Sequence, residues 1–148
     1  EELKYEGIPI DGVGFQMHLH LKENGDVVEL DQKIKGLGVW TREGFESLLK
    51  RYSDAGVEVH ITEIDVQIDK QPATAEQLDQ QARVYRQVLE SAIKSPAVKT
   101  IKYFGFTDKY TWRPMGYDAT PTMFDMNFDP KPAYWSQVEL LKELINKK

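Results

Sequence analysis

A chain of 148 residues with a formal net charge of −5 is long enough for one domain with a real core, and too acidic to read as a nucleic-acid binder. Apolar residues at 41% and aromatics at 11% argue against a disordered tail, and the absence of cysteine removes disulfides, thiolate catalysis and cysteine-ligated zinc. No run of about 18 apolar residues occurs, so no membrane-spanning helix and no membrane partner are expected.

The opening "EELKYEGIPIDG" is not a signal peptide. It reads as the last turn of a helix ending at Gly7, and since domains rarely begin on a helix stub, an upstream part is expected. In "DGVGFQMHLHL", Val13, Phe15, Met17 and Leu19 alternate with Gly14, Gln16, His18 and His20, the period of a strand. Lys22 to Val39 reads as a long polar loop with a turn at Asn24-Gly25. Next comes a helix with Thr41 as N-cap, Phe45, Leu48, Leu49 and Tyr52 at helical spacing, and Gly56 as its stop.

A second strand spans about Val57 to Val66. Thr74 and Gln77 then form a capping box, opening a helix with the apolar stripe Leu78, Ala82, Tyr85, Leu89 and Ile93, ended by Pro96. "VKTIKYFGF" is a third strand. It runs into the polar-aromatic loop "TDKYTWRPMGYDATPTMF". The last helix begins near Pro132, with Tyr134, Val138, Leu141 and Ile145 as its stripe.

Alternating strands and helices imply parallel strands with right-handed crossovers. Long loops after the strands and short ones after the helices are a feature of (β/α)8 barrels, whose active sites lie at the C-terminal strand ends. No Gly-rich phosphate loop follows a strand, which counts against a dinucleotide fold. No repeat or linker divides the chain.

The stretch "HITEIDVQI" carries two acids, Glu63 and Asp65, inside an apolar strand. Strict alternation puts them on one face with Ile61, and puts His60, Thr62, Ile64 and Val66 on the other. In a barrel the acid face points into the lumen. Acids are poor strand formers, so a plain solvent-facing pair is the weaker reading. His18 shares the lumen-facing side of the first strand with Gln16. If it meets Asp65, a carboxylate orients its imidazole and leaves it able to hydrogen-bond Glu63. Trp112, near Tyr110 and Arg113, is either a buried loop tryptophan or a platform for a sugar ring. A competing chemistry is a metal site built on His18 and His20 with His60, Glu63 or Asp65. The outward parity of His60 counts against it.

"DGVGFQMHL", "VHITEIDV", "GFTDKYTW" and "FDMNFDPKPAYW" resemble, in order and spacing, segments of family 10 glycoside hydrolases, the endo-β-1,4-xylanases. The resemblance covers nearly the whole chain. It implies that residues 1–148 are the C-terminal part of a catalytic α/β barrel, a partial (β/α)8 TIM barrel holding about strands six to eight and their helices. It implies Glu63 as nucleophile, His18 and Asp65 as the network that holds and tunes it, and Gln16 and Trp112 as substrate-binding residues. It implies no metal and no cofactor, xylan or xylo-oligosaccharides as substrate, and a secreted or periplasmic setting.

Retaining glycosidases need two carboxyl groups about 5–5.5 Å apart. The family's acid/base glutamate lies in a Trp-Asp-x-x-Asn-Glu motif on strand four, and no such motif occurs here. Phe104 stands where the family commonly has tryptophan. A complete barrel takes about 250 residues. The chain alone is therefore expected to be inactive, with the missing N-terminal half or a second copy of itself as partner. The alternative is a non-catalytic carbohydrate-binding or assembly module derived from the barrel.

Overall fold

The computed structural model describes residues 2–29, 39–68, 72–112 and 120–147. In chain order the elements are α1 (Glu2–Tyr5), β1 (Gly12–Leu21), β2 (Val27–Glu29), α2 (Arg42–Asp54), β3 (Glu58–Ile68), α3 (Ala75–Lys94), β4 (Val98–Ile101) and α4 (Pro132–Ile145), with a 3-10 turn at Asp108–Tyr110. The sheet order is β2-β1-β3-β4. β1, β3 and β4 are parallel, as the alternation predicts.

β2 departs from the expected loop. It pairs antiparallel with β1, Leu21 against Val27. Asn24-Gly25 supplies the turn, with Gly25 at φ +88° and the Asn24 amide donating to Asp26. The β-branched pair Val27-Val28 after an Asn-Gly signal was the sequence cue for this hairpin.

The helices start where their caps say. Thr41 accepts from the Gly44 amide, and Thr74 and Gln77 close a reciprocal capping box on α3. α2 packs by its expected stripe, with Phe45 and Leu49 buried, whereas the buried faces of α3 and α4 differ from the stripes expected of them. On α3, Ala82, Tyr85 and Leu89 are buried as expected, but so are Gln81, Val84, Val88 and Ala92, while Ile93 is exposed. On α4 the buried residues are Ala133, Gln137 and Leu140. Leu141 and Ile145 are exposed, Ile145 by 71%. α4 packs mainly on α3.

The core lies between the sheet and the helices, with Leu19, Val59, Ile61 and Val66 wholly inaccessible. Strict alternation fails within β3. Phe15 pairs with Ile61, and the next residue, Gln16, pairs with Glu63, so Thr62 is an inserted bulge residue. The Thr62 hydroxyl donates to the Phe15 carbonyl at 3.0 Å, which ties the extra residue to the neighbouring strand. A Cβ on Gly14 would lie 3.1 Å from the Thr62 methyl, so glycine leaves room for it. The bulge corrects two expectations. Ile61 is opposite Phe15 on the helix-facing side, away from Glu63. His60 is opposite Gly14, on the same side as the acids, and not outward.

Beyond its pairing with β4, the upper half of β3 is completed by other groups. Phe104 N–H donates to the Ile64 carbonyl at 2.9 Å, and Thr120 N–H to the Ile68 carbonyl at 3.2 Å. From α3, the buried Gln81 amide donates to the carbonyls of Val66 and Thr120. The Tyr85 hydroxyl donates to the Pro121 carbonyl at 2.7 Å and accepts from Val66 N–H. Burial pushes the Tyr85 phenol well above its usual range, so it stays a neutral donor. Gln81→Leu keeps the bulk and strips both carbonyls of a donor. It is expected to cost about 2–4 kcal/mol in urea unfolding. A loss under about 0.5 kcal/mol, typical of a surface change, would show that Gln81 does not hold this junction.

Candidate active site

The β1–β3 register sets Gln16 beside Glu63 and His18 beside Asp65. Both pairs lie on the face opposite the helices, towards the C-terminal strand ends. Gln16 Nε2 donates to Glu63 Oε1 at 2.8 Å. His18 bridges the two acids, with Nε2 3.1 Å from Glu63 Oε2 and Nδ1 3.1 Å from Asp65 Oδ2. Each oxygen of Glu63 therefore has its own neighbour, and the carboxylate cannot rotate without losing one. Asp65 is fully buried, whereas the Glu63 side chain keeps 23% exposure, enough for a reacting group to reach it.

Trp112 completes the cluster. Its indole N–H donates to Asp65 Oδ2 at 2.8 Å. The ring lies 5.0 Å from the His18 ring and 5.9 Å from Phe104, which itself packs edge-on to His18 at 5.3 Å. About half of Trp112 remains exposed. An aromatic face fixed at one edge and open on the other suits stacking of a sugar ring. All five residues singled out from sequence thus meet in one place. The indole bond to Asp65 was not foreseen, because loop backbone geometry has no period to read. Arg113 lies outside the described residues.

His20 occupies the next rung of β1, paired in register with Gln67, with Nδ1 3.3 Å from Lys22 Nζ. His60 sits lower on β3 and engages Thr100 Oγ1 at 3.1 Å. Among the described residues no three His, Asp or Glu side chains are grouped as ligands for a metal ion.

The Asp65 hydrogen bond, joined by the charges of Asp65 and Glu63, raises the His18 imidazole above its usual value, against partial burial. Both ring contacts are N–H···O bonds only when the ring is protonated. A folded pKa above the unfolded 6.5 means that this stabilisation is complete below about pH 6.5, and is lost as pH rises through the folded value. The melting-temperature gap between the parent chain and His18→Asn should therefore shrink as pH rises from about 6 to 9. A gap that stays flat would remove the ionic bridge.

A parallel sheet backed by helices, with Glu63 and Asp65 on the face opposite those helices, has the layout of a (β/α)8-type sheet. The family model "Glycosyl hydrolase family 10" matches residues 1–140. Endo-1,4-beta-xylanase B of Thermotoga neapolitana is 34% identical over 151 residues, which take in 100% of this chain and 39% of that protein. Endo-1,4-beta-xylanase 2 of Aureobasidium pullulans is 35% identical, over 92% of this chain and 36% of that one. Native xylanase 10B from Thermotoga maritima superposes with a TM-score of 0.78 at 34% identity, covering 99% of this chain and 41% of its own. Xylanase 10B from Thermotoga petrophila RKU-1, solved with xylobiose, gives 0.78 at 34% identity, covering 97% and 40%.

The chain belongs to glycosyl hydrolase family 10, and its fold is part of the family's TIM barrel. It spans about 40% of the length of these relatives.

Proposed function

We propose that residues 1–148 form the nucleophile-bearing C-terminal part of an endo-1,4-β-xylanase barrel. The observation that carries this reading is the double hold on Glu63, by Gln16 on one oxygen and His18 on the other. In a retaining mechanism, a Glu63 oxygen attacks the anomeric carbon of the bound xylose unit. The glycosidic C–O bond breaks as an acid protonates the departing oxygen, and water then releases the sugar from Glu63. Gln16 and His18 aim the attacking oxygen. Asp65, fixed by Trp112, orients His18. The open Trp112 face packs against the sugar.

The substrate proposed is xylan or xylo-oligosaccharide, in keeping with the names of the relatives and the xylobiose bound to one of them. The acid that protonates the leaving oxygen comes from the first part of the barrel. The lower outer edge of β1 and the outer edge of β4, which meet no other strand among the described residues, are where that part would pair.

A covalent trap tests the nucleophile apart from the acid. A 2-deoxy-2-fluoro-β-xyloside with a dinitrophenolate leaving group needs no protonation, because the phenolate departs unaided. Incubated with the assembled barrel, it should leave a fluoroxylosyl ester on Glu63, located by peptide mass spectrometry. Labelling of another carboxylate would reassign the nucleophile. No labelling at all in a barrel that turns over xylan would favour a mechanism without a covalent step.

A further inference from the structure

Away from the acids, the described residues contain one buried ion pair that the mechanism above does not use. Lys131 Nζ lies 3.0 Å from Asp108 Oδ2, and each residue is 5% exposed. The same ammonium donates to the carbonyls of Thr120 at 3.1 Å and Thr122 at 2.6 Å, so all three of its protons are used. The other Asp108 oxygen accepts from Thr122 N–H and Thr122 Oγ1, both at 2.9 Å.

Lys131 is a poor choice for its address. It stands at the N-cap of α4, makes no cap bond there, and sets a positive charge by the positive end of the helix. Burial lowers the Lys131 ammonium and raises the Asp108 carboxyl, so desolvation works against both charged forms. Buried pairs of this kind add little stability over apolar replacements, and their best-attested use is to specify one arrangement.

The arrangement specified here is that of the turn leading to Trp112. Asp108 opens the 3-10 turn Asp108–Tyr110, and Trp112 follows two residues after it. Asp108 N–H donates to the Phe124 carbonyl at 2.9 Å, and Thr107 Oγ1 to the Asp125 carbonyl. The turn is thus fastened to residues 122–125, and Lys131 clamps that segment from behind. Trp112 lies just beyond the turn with its ring about half exposed, so the seat of the turn sets where the indole points. We propose that the Lys131–Asp108 pair is a positioning device, fixing the turn at 107–112 so that Trp112 delivers its indole N–H to Asp65. Its consequence for catalysis rests on the reading of the Glu63 site given above; the geometric claim does not.

The test is hydrogen exchange at the indole protons, read by NMR in the full chain. The variant Lys131→Met strands a buried carboxylate and can simply unfold. Asp108→Asn combined with Lys131→Met removes both charges at nearly constant volume. This double variant should stay folded by circular dichroism, while the Trp112 indole proton exchanges about tenfold faster and the Trp40 and Trp135 indoles keep their rates. Unchanged exchange at Trp112 in the folded double variant would overturn the proposal. Failure of the double variant to fold would also overturn it, since the pair would then hold up the core instead of aiming one turn. Neither result depends on whether Glu63 is the nucleophile, which the fluorosugar trap decides separately.

Discussion

Glu63→Gln, placed in the completed barrel, is expected to leave the fold intact and to cut xylan turnover by at least about a thousandfold, equivalent to about 4 kcal/mol of transition-state stabilisation. The amide has the same shape. It can still accept from Gln16 through its oxygen, but its nitrogen then faces His18 Nε2, and that contact survives only if the ring gives up its Nε2 proton, which is a strain on the network. That strain is local, and melting should shift little. The chemical loss is much larger, because an amide oxygen is a poor nucleophile towards an anomeric carbon. Rates on xylan, with circular dichroism as the folding control, give the result. Near-parent hydrolysis by a folded Glu63→Gln barrel would take Glu63 out of the mechanism and move attention to Asp65 or to a carboxylate of the first half.

The legibility of this site in the sequence has a physical basis. Gln16 and His18 are two apart on a strand of clean alternation, so their common face could be read directly. Glu63 and Asp65 are also two apart, and their cluster survives the bulge because both lie on its C-terminal side. Ile61 and His60 lie on the other side of it, and the same counting assigned both to the wrong face. A bulge is one residue of irregularity, and nothing in the alternation of "HITEIDVQI" announces it. The helix ends were legible for the opposite reason, since caps are local chemistry: Thr41, Thr74 and Gly56 each sit beside the backbone they serve. On α3 the stripe Ala82, Tyr85 and Leu89 was legible, but Gln81 was not, because it is polar and its burial depends on carbonyls at Val66 and Thr120 that meet only in the folded chain. The same holds for Lys131 and Asp108, 23 residues apart, which no local pattern in the sequence pairs.

The chain expressed by itself is expected to show no enzymatic rate on xylan, and to gain activity when the first half of a family 10 barrel is supplied as a separate protein. A general acid contributes on the order of 10²–10⁴ in rate, most of it where the leaving group is a sugar alkoxide that cannot depart unprotonated. Among the described residues, the buried carboxylates Asp108 and Asp65 are both already engaged by other groups. Asp108 is held by Lys131 and Thr122, and Asp65 by His18 and Trp112. The parallel edges of β1 and β4 give the added half a template for backbone pairing, and the exposed apolar face of α4 at Leu141 and Ile145 gives it something to bury. Light scattering after size exclusion should show a one-to-one complex, and the activity should track its formation. Self-association of the chain alone, without activity, would mean that a second copy occupies the same edges, and the added half should then compete with it. A stable, fully active monomer would instead place the acid among these 148 residues. The search for it would begin with carboxylates on the face that carries Glu63, where Glu58 lies in register with Gly12 at the lower end of β3.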